Sequence, residues 1–221
     1  MYMSVFRKLE DSKKFRLDEL VSEGRGQTIS YGVLCSPAAE IYVYFLDEDE
    51  EISEMKAPYD NIILIFKGSL RIGTEPPAEV SGGEIYIVPE ETDVVITAIK
   101  PVKYVSILLP MEGELIKNID VSTKMAAKEM VEYRPGQVVN LTLVKRDSLN
   151  LSVIAIDKGE GLNTHTAPGD AFVVALDGEA EIVIGGKPFR LKEGDSIIMP
   201  KGIPHSVKGV TQFKMLLILV K

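Results

Sequence analysis

The chain carries one pattern twice. At a separation of 110 residues Gly26-Gln27 matches Gly136-Gln137, Val43 matches Val153, Asp47 matches Asp157, Gly68 matches Gly178 and Ile72 matches Ile182. After one inserted residue the separation is 111, and Gly83 matches Gly194, Pro89 matches Pro200, Lys103 matches Lys214 and Ile107-Leu108 match Ile218-Leu219. Whatever this chain folds into must therefore be something that half of it can form. The repeat predicts a lead-in over 1–25, a first domain over 26–110, a linker over 111–135 and a second domain over 136–221.

Within each copy, short apolar or alternating runs are separated by glycine-bearing turns. In the second copy they are 151-LSVIAI-156, 171-AFVVAL-176, 180-AEIVI-184, 196-SIIM-199 and 213-FKMLLILV-220. Runs this short, at this spacing, predict an all-β chain of antiparallel sandwiches or barrels. Helices are expected only on the approaches. Ser12 can cap 13-KKFRLDELVSE-23, and Thr123 can cap 124-KMAAKEMVEY-133. The last run of each copy, 104-YVSILL-109 and 213-FKMLLILV-220, loses the alternation of a strand with one wet face. Both faces then need cover, which predicts that barrels pack through these strands, within a chain or in a homodimer, with Leu217 and Leu219 dividing between the two faces.

Composition excludes several partners. The net charge of −8 lies entirely in the first half of the chain, so nucleic acid is not an expected partner. The run 47-DEDEE-51 reads as a solvated turn. No apolar run approaches the ~20 residues of a membrane helix, and the first residues lack the apolar centre of a signal peptide. A cytoplasmic protein with no membrane partner is expected. Cys35 is the single cysteine and stands where the second copy has Lys145, so it reads as an ordinary strand residue in a reducing compartment. No phosphate-binding loop or dinucleotide fingerprint is present.

The most specific stretch is 194-GDSIIMPKGIPH-205, a Gly, five residues, Pro-x-Gly, two residues and His. It resembles the second motif of the cupin superfamily, which closes in Asn where this chain has Gly209. The first cupin motif is matched more loosely by 163-NTHTAPGDAFVVALDG-178. The resemblance implies two tandem jelly-roll barrels of the cupin type (double-stranded β-helices), each preceded by a short helix. It also implies a small-molecule ligand, and a divalent metal such as Fe, Mn, Ni or Zn held by two histidines, a glutamate and a third histidine. Carried onto this sequence, that set becomes His165 and His205, with Asn163 at the first histidine position. For the carboxylate, counting back from Gly178 gives Ala171, whereas counting on from His165 gives Asp170.

Strand geometry supports the pairing independently of the name. Residues 163 and 165 stand two apart, so they are expected on one face, and Gly194 to His205 spans a strand and a turn that can bring His205 opposite them. Two neutral imidazoles facing a shielded interior are a metal-ligand pair. In the first copy the matching residues are Met55 and Val94, which reads as a scaffold barrel with a filled interior. Together with the resemblance to cupins this leaves three functions open: a binding protein whose second barrel takes a small molecule, and, as the resemblance implies, a metal-dependent dioxygenase or isomerase or a metal-free epimerase-like enzyme using His205 and Asp170.

Overall fold

A computed structural model describes residues 9–74, 76–110 and 122–221. Residues 1–8 of the expected lead-in and 111–121 of the expected linker lie outside the described residues, as does the side chain of Met55. The chain opens with β1 (Phe15–Arg16) and a 3-10 turn (Leu17–Glu19). The first copy follows as β2 (Thr28–Cys35), β3 (Glu40–Leu46), β4 (Glu51–Lys56), β5 (Asp60–Ile72), β6 (Ala78–Ser81), β7 (Glu84–Val88) and β8 (Asp93–Leu109). Then come β9 (Met125–Ala126), a second 3-10 turn (Ala127–Glu129), β10 (Val138–Lys145), β11 (Leu149–Ile156), β12 (Gly161–His165), β13 (Asp170–Ile184), β14 (Lys187–Lys192), β15 (Asp195–Met199) and β16 (His205–Val220).

Each copy forms a jelly-roll barrel with the same antiparallel order. The first reads β2-β3-β8-β5-β7-β9, with β4 added to β8 and β6 to β5. The second reads β10-β11-β16-β13-β15-β1, with β12 added to β16 and β14 to β13. The short strands are exchanged: β9, from the middle of the chain, completes the first barrel, and β1, from its start, completes the second. Among the described residues one compact unit comprises 9–16 and 128–221, and the other comprises 17–110 and 122–127.

The interiors follow from alternation. In the second barrel Ala171, Val173 and Ala175 of β13 join Val207, Phe213 and Met215 of β16 in one buried cluster. Leu217 and Leu219 both pack against that cluster, so they share one face rather than dividing between two. Residues two apart on an unbulged strand cannot do otherwise. Leu216, Ile218 and Val220 make the opposite face, which is buried as well.

Among the described residues the lead-ins contain one 3-10 turn each, not the helices their composition suggests. Ser12 adopts a left-handed backbone with φ of 54° and donates its N–H to the carbonyl of Ile198 at 3.0 Å. Phe15 and Arg16 then pair with Ser196 and Asp195, and the Phe15 ring stacks on Phe172 with centroids 6.0 Å apart. Ser122 repeats this at φ of 58°, donating to Ile87 at 3.1 Å. Strand pairing thus overrides a modest helical preference. Each 3-10 turn is tied to its barrel by the repeated lysine: Lys103 donates to the carbonyl of Asp18 at 2.8 Å, and Lys214 to that of Lys128.

The long strands β5 and β13 bend at the repeated glycines. Gly178 has φ of 71°, and a Cβ there would lie 1.7 Å from the carbonyl oxygen of Gln212. Gly68 has φ of 81°, and its Cβ would lie 2.1 Å from that of Pro101. Two backbones cross where no side chain fits. Gly186 has φ of 81° with nothing near its missing Cβ. Gly178→Ala is therefore expected to cost at least ~3 kcal/mol in denaturant unfolding, and Gly186→Ala only about 1 kcal/mol.

Candidate functional site

His165 ends β12 and His205 begins β16, and the two are cross-strand partners. His205 shares its strand face with Val207 of the interior cluster and has Ile184 as its neighbour on β13. It is 2% exposed, whereas His165 is exposed. The rings meet edge to face with centroids 4.6 Å apart and planes at 65°.

A one-residue irregularity creates this pairing. Leu162 pairs with Val207 and His165 with His205, so Asn163 and Thr164 together stand against Ser206 alone. The first barrel has the same bulge, with Ile52 paired to Ile96 and Met55 to Val94. Strict alternation from Asn163 to His165 is thereby broken. Asn163 is exposed, and it is its backbone carbonyl, not its amide, that touches the histidine.

Each imidazole is anchored alike. Nδ1 of His165 bonds the carbonyl of Asn163 at 2.8 Å, and Nδ1 of His205 bonds that of Ile203 at 2.9 Å. A carbonyl only accepts, so each Nδ1 carries a proton, and in the neutral ring Nε2 is then the atom that presents a lone pair. Among the described residues neither Nε2 has a hydrogen-bond partner. Burial lowers the pKa of His205 below its ordinary 6.5; its own Nδ1 bond to Ile203 opposes the shift and the nearby His165 adds to it.

Asp170 is placed elsewhere. No register shift interrupts β13 between 170 and 175, so Asp170 shares a face with Phe172 and Val174, opposite the interior residue Ala171. It is fully buried and accepts the backbone N–H of Lys201 at 2.8 Å. Asp60 does the same for Glu90 at 2.9 Å. The repeated Ala-Pro-x-Asp frame is thus a clamp on the turn after the repeated proline, which is why it outlives the histidines in the first copy. Ala171 occupies the interior position, with a methyl group where a carboxylate would be needed.

The donors on hand fall short of a resident metal centre of the family type. Among the described residues no three of His, Cys, Asp and Glu gather as a metal cluster, and two imidazoles are fewer than the three protein ligands of a typical catalytic zinc. What the pair can do is accept hydrogen bonds or share a cation with other donors.

In the first barrel the structure differs from the expected filled interior. A cavity of about 120 Å³ lies within it, lined by Tyr44, Asn61, Val88, Val94, Tyr104 and Ser106 among others. Comparing the copies beyond the histidines would have signalled it, since Tyr44, Asn61, Tyr104 and Ser106 stand where the second copy has Ile154, Ala171, Met215 and Leu217.

Two measurements check these assignments. The Cε1–H resonance of His205 is expected to titrate below 6.5. Because the folded state holds the lower pKa, His205 contributes stability that is intact above 6.5 and is lost as pH falls through that lowered value. Asp170→Ala is expected to destabilise the second barrel by about 1.5–3 kcal/mol at neutral pH, the range for a bond to a charged group. Asp60→Ala should do the same to the first barrel.

The family described as Cupin domain matches residues 152–221. A cupin 2 conserved barrel domain protein from Leptotrichia buccalis is 32% identical and superposes with a TM-score of 0.87, over 97% of this chain and 99% of that one. An uncharacterised protein of Aquifex aeolicus is 30% identical over 93 residues, which is 41% of this chain and 76% of that protein. Salicylate 1,2-dioxygenase from Pseudoaminobacter salicylatoxidans, solved with gentisate adducts, shares the fold with a TM-score of 0.71 at 12% identity, over 94% of this chain and 80% of that one. With both barrels superposing on a relative along almost its whole length, and the motif frame in the matched region, this chain belongs to the cupin superfamily.

Proposed function

We propose that this protein is a small-molecule-binding bicupin whose second barrel takes its ligand at His165 and His205. The observation that carries the reading is the matched anchoring of both Nδ1 atoms, which leaves two neutral Nε2 acceptors on neighbouring rings 4.6 Å apart. Such a pair suits a ligand with O–H or N–H groups to donate, such as a small hydroxylated molecule. Burial of His205 favours the neutral, accepting form.

A divalent cation is the second reading, favoured by the same Nε2 lone pairs. The protein would supply two nitrogens, and the remaining donors would come from the small molecule or from water. A dioxygenase or isomerase role would rest on that cation acting as a Lewis acid. The epimerase-like dyad has no comparable support, since Asp170 lies on the sheet face opposite the interior and is engaged with Lys201.

Elemental analysis of protein purified without a metal-affinity tag separates the readings. Stoichiometric Fe, Mn, Ni or Zn, lost in both His165→Ala and His205→Ala, favours the cation. Protein without metal, whose two histidine resonances shift with catechol at up to about 10 mM, favours direct binding. The two variants are then expected to weaken catechol by about tenfold each. Metal-free protein whose histidine resonances ignore catechol and gentisate counts against the site.

A further inference from the structure

The first barrel lacks both imidazoles, yet its interior is not filled. Its cavity of about 120 Å³ runs from exposed Pro58 inward to Val88 and Tyr104, each 1% exposed. Apolar walls come from Ile52, Val88, Val94, Ile96 and Leu108. Polar groups break this lining on β3, β5 and β8. Tyr44 and Tyr104 stack with centroids 5.0 Å apart and planes at 13°. Ser106 donates its hydroxyl to Oδ1 of Asn61 at 2.7 Å.

These four side chains replace Ile154, Met215, Ala171 and Leu217, which belong to or pack against the apolar cluster of the second barrel. Exchanging apolar for polar groups inside a barrel is destabilising wherever a polar group is left unsatisfied. One pair satisfies itself, through Ser106 and Oδ1 of Asn61. Among the described residues the hydroxyls of Tyr44 and Tyr104 and the amide nitrogen of Asn61 have no hydrogen-bond partner. Burial raises the pKa of both tyrosines, with Glu40 adding to the shift at Tyr44 and the neighbouring Tyr44 adding to that at Tyr104, so both phenols stay protonated and can donate. No Lys, Arg, His, Asp or Glu is among the described lining residues, so none of these offsets a ligand charge.

We infer that the first barrel is a second, metal-free binding site for a compact neutral molecule with an apolar body and one hydrogen-bond-accepting oxygen. The donors Tyr44, Tyr104 and Asn61 fix that oxygen, and the aliphatic walls take the rest. The volume sets the size, because a dry apolar cavity of ~150 Å³ is enough to hold benzene. A cyclic ketone of about six heavy atoms fits that size and chemistry. The site is independent of the histidine pair and of the reading given to it.

The test is an NMR titration of the full chain with ¹³C-labelled tyrosine, using cyclopentanone, benzene and butyrate as probes. Cyclopentanone is expected to move the Tyr44 and Tyr104 ring signals and to bind at least about threefold more tightly than benzene or butyrate. Tyr104→Phe removes one buried oxygen and keeps the ring. It is expected to weaken cyclopentanone by about tenfold while leaving benzene unchanged, and Asn61→Ala should shift the preference the same way. The inference is overturned if benzene or butyrate binds as tightly as the ketone. It is equally overturned if both variants keep full ketone affinity, or if no probe moves either tyrosine.

Discussion

Everything in each barrel hangs on one antiparallel ribbon. In the second it is β13 against β16, paired from Asp170–Val220 at one end to Ile184–His205 at the other. Strands of 15 and 16 residues are too long to stay flat against a closed core, so the ribbon bends, with register shifts and Gly178 taking the curvature. The bend lets one strand serve two sheets: β15 pairs with β13 on one side of it and β14 on the other. The buried carboxylate of Asp170 closes one end and His205 begins the other, so the site inherits its position from the ribbon.

The fold frame was legible because it is written in residues whose backbone role is narrow. Gly68 and Gly178 recur because a side chain would collide with the crossing backbone, and Asp60 and Asp170 recur because each holds a turn N–H. The histidines were legible from motif spacing, and the register seats them opposite each other. Three things could not be read. The bulge at Asn163 and Thr164 leaves no mark in composition, so alternation misplaced Asn163. The lead-ins are helical by local preference, and only their distant partners Ser196 and Ile85 make them strands. The third is whether a bulge turns Asp170 inward against the alternation that points it away from the interior, and only the unbroken register of β13 excludes one.

The two interiors show how far matching positions can diverge within one duplicated frame. The second barrel keeps its imidazoles and lines the rest of its interior with apolar side chains. The first gives up the imidazoles and admits phenols and an amide. Both changes occur at matching positions of an unchanged hydrogen-bond frame, as Gly83 donating to Ile65 and Gly194 to Ala175 illustrate. A rigid frame with an adjustable lining is how one architecture hosts unlike chemistries.

The exchanged short strands bear on how the molecule is made. β9 meets its partner β7 in a stretch the ribosome has already finished, so the first barrel can close once residue 126 has emerged. β1 pairs with residues 195–196, which appear only after both copies of the repeat are nearly complete. A segment synthesised long before its partner is thus among the last to be placed, and its pairing spans the sequence separations that slow a folding step most. Vectorial synthesis therefore favours completion of the first barrel before the second, with Phe15 seating on Phe172 as a closing event.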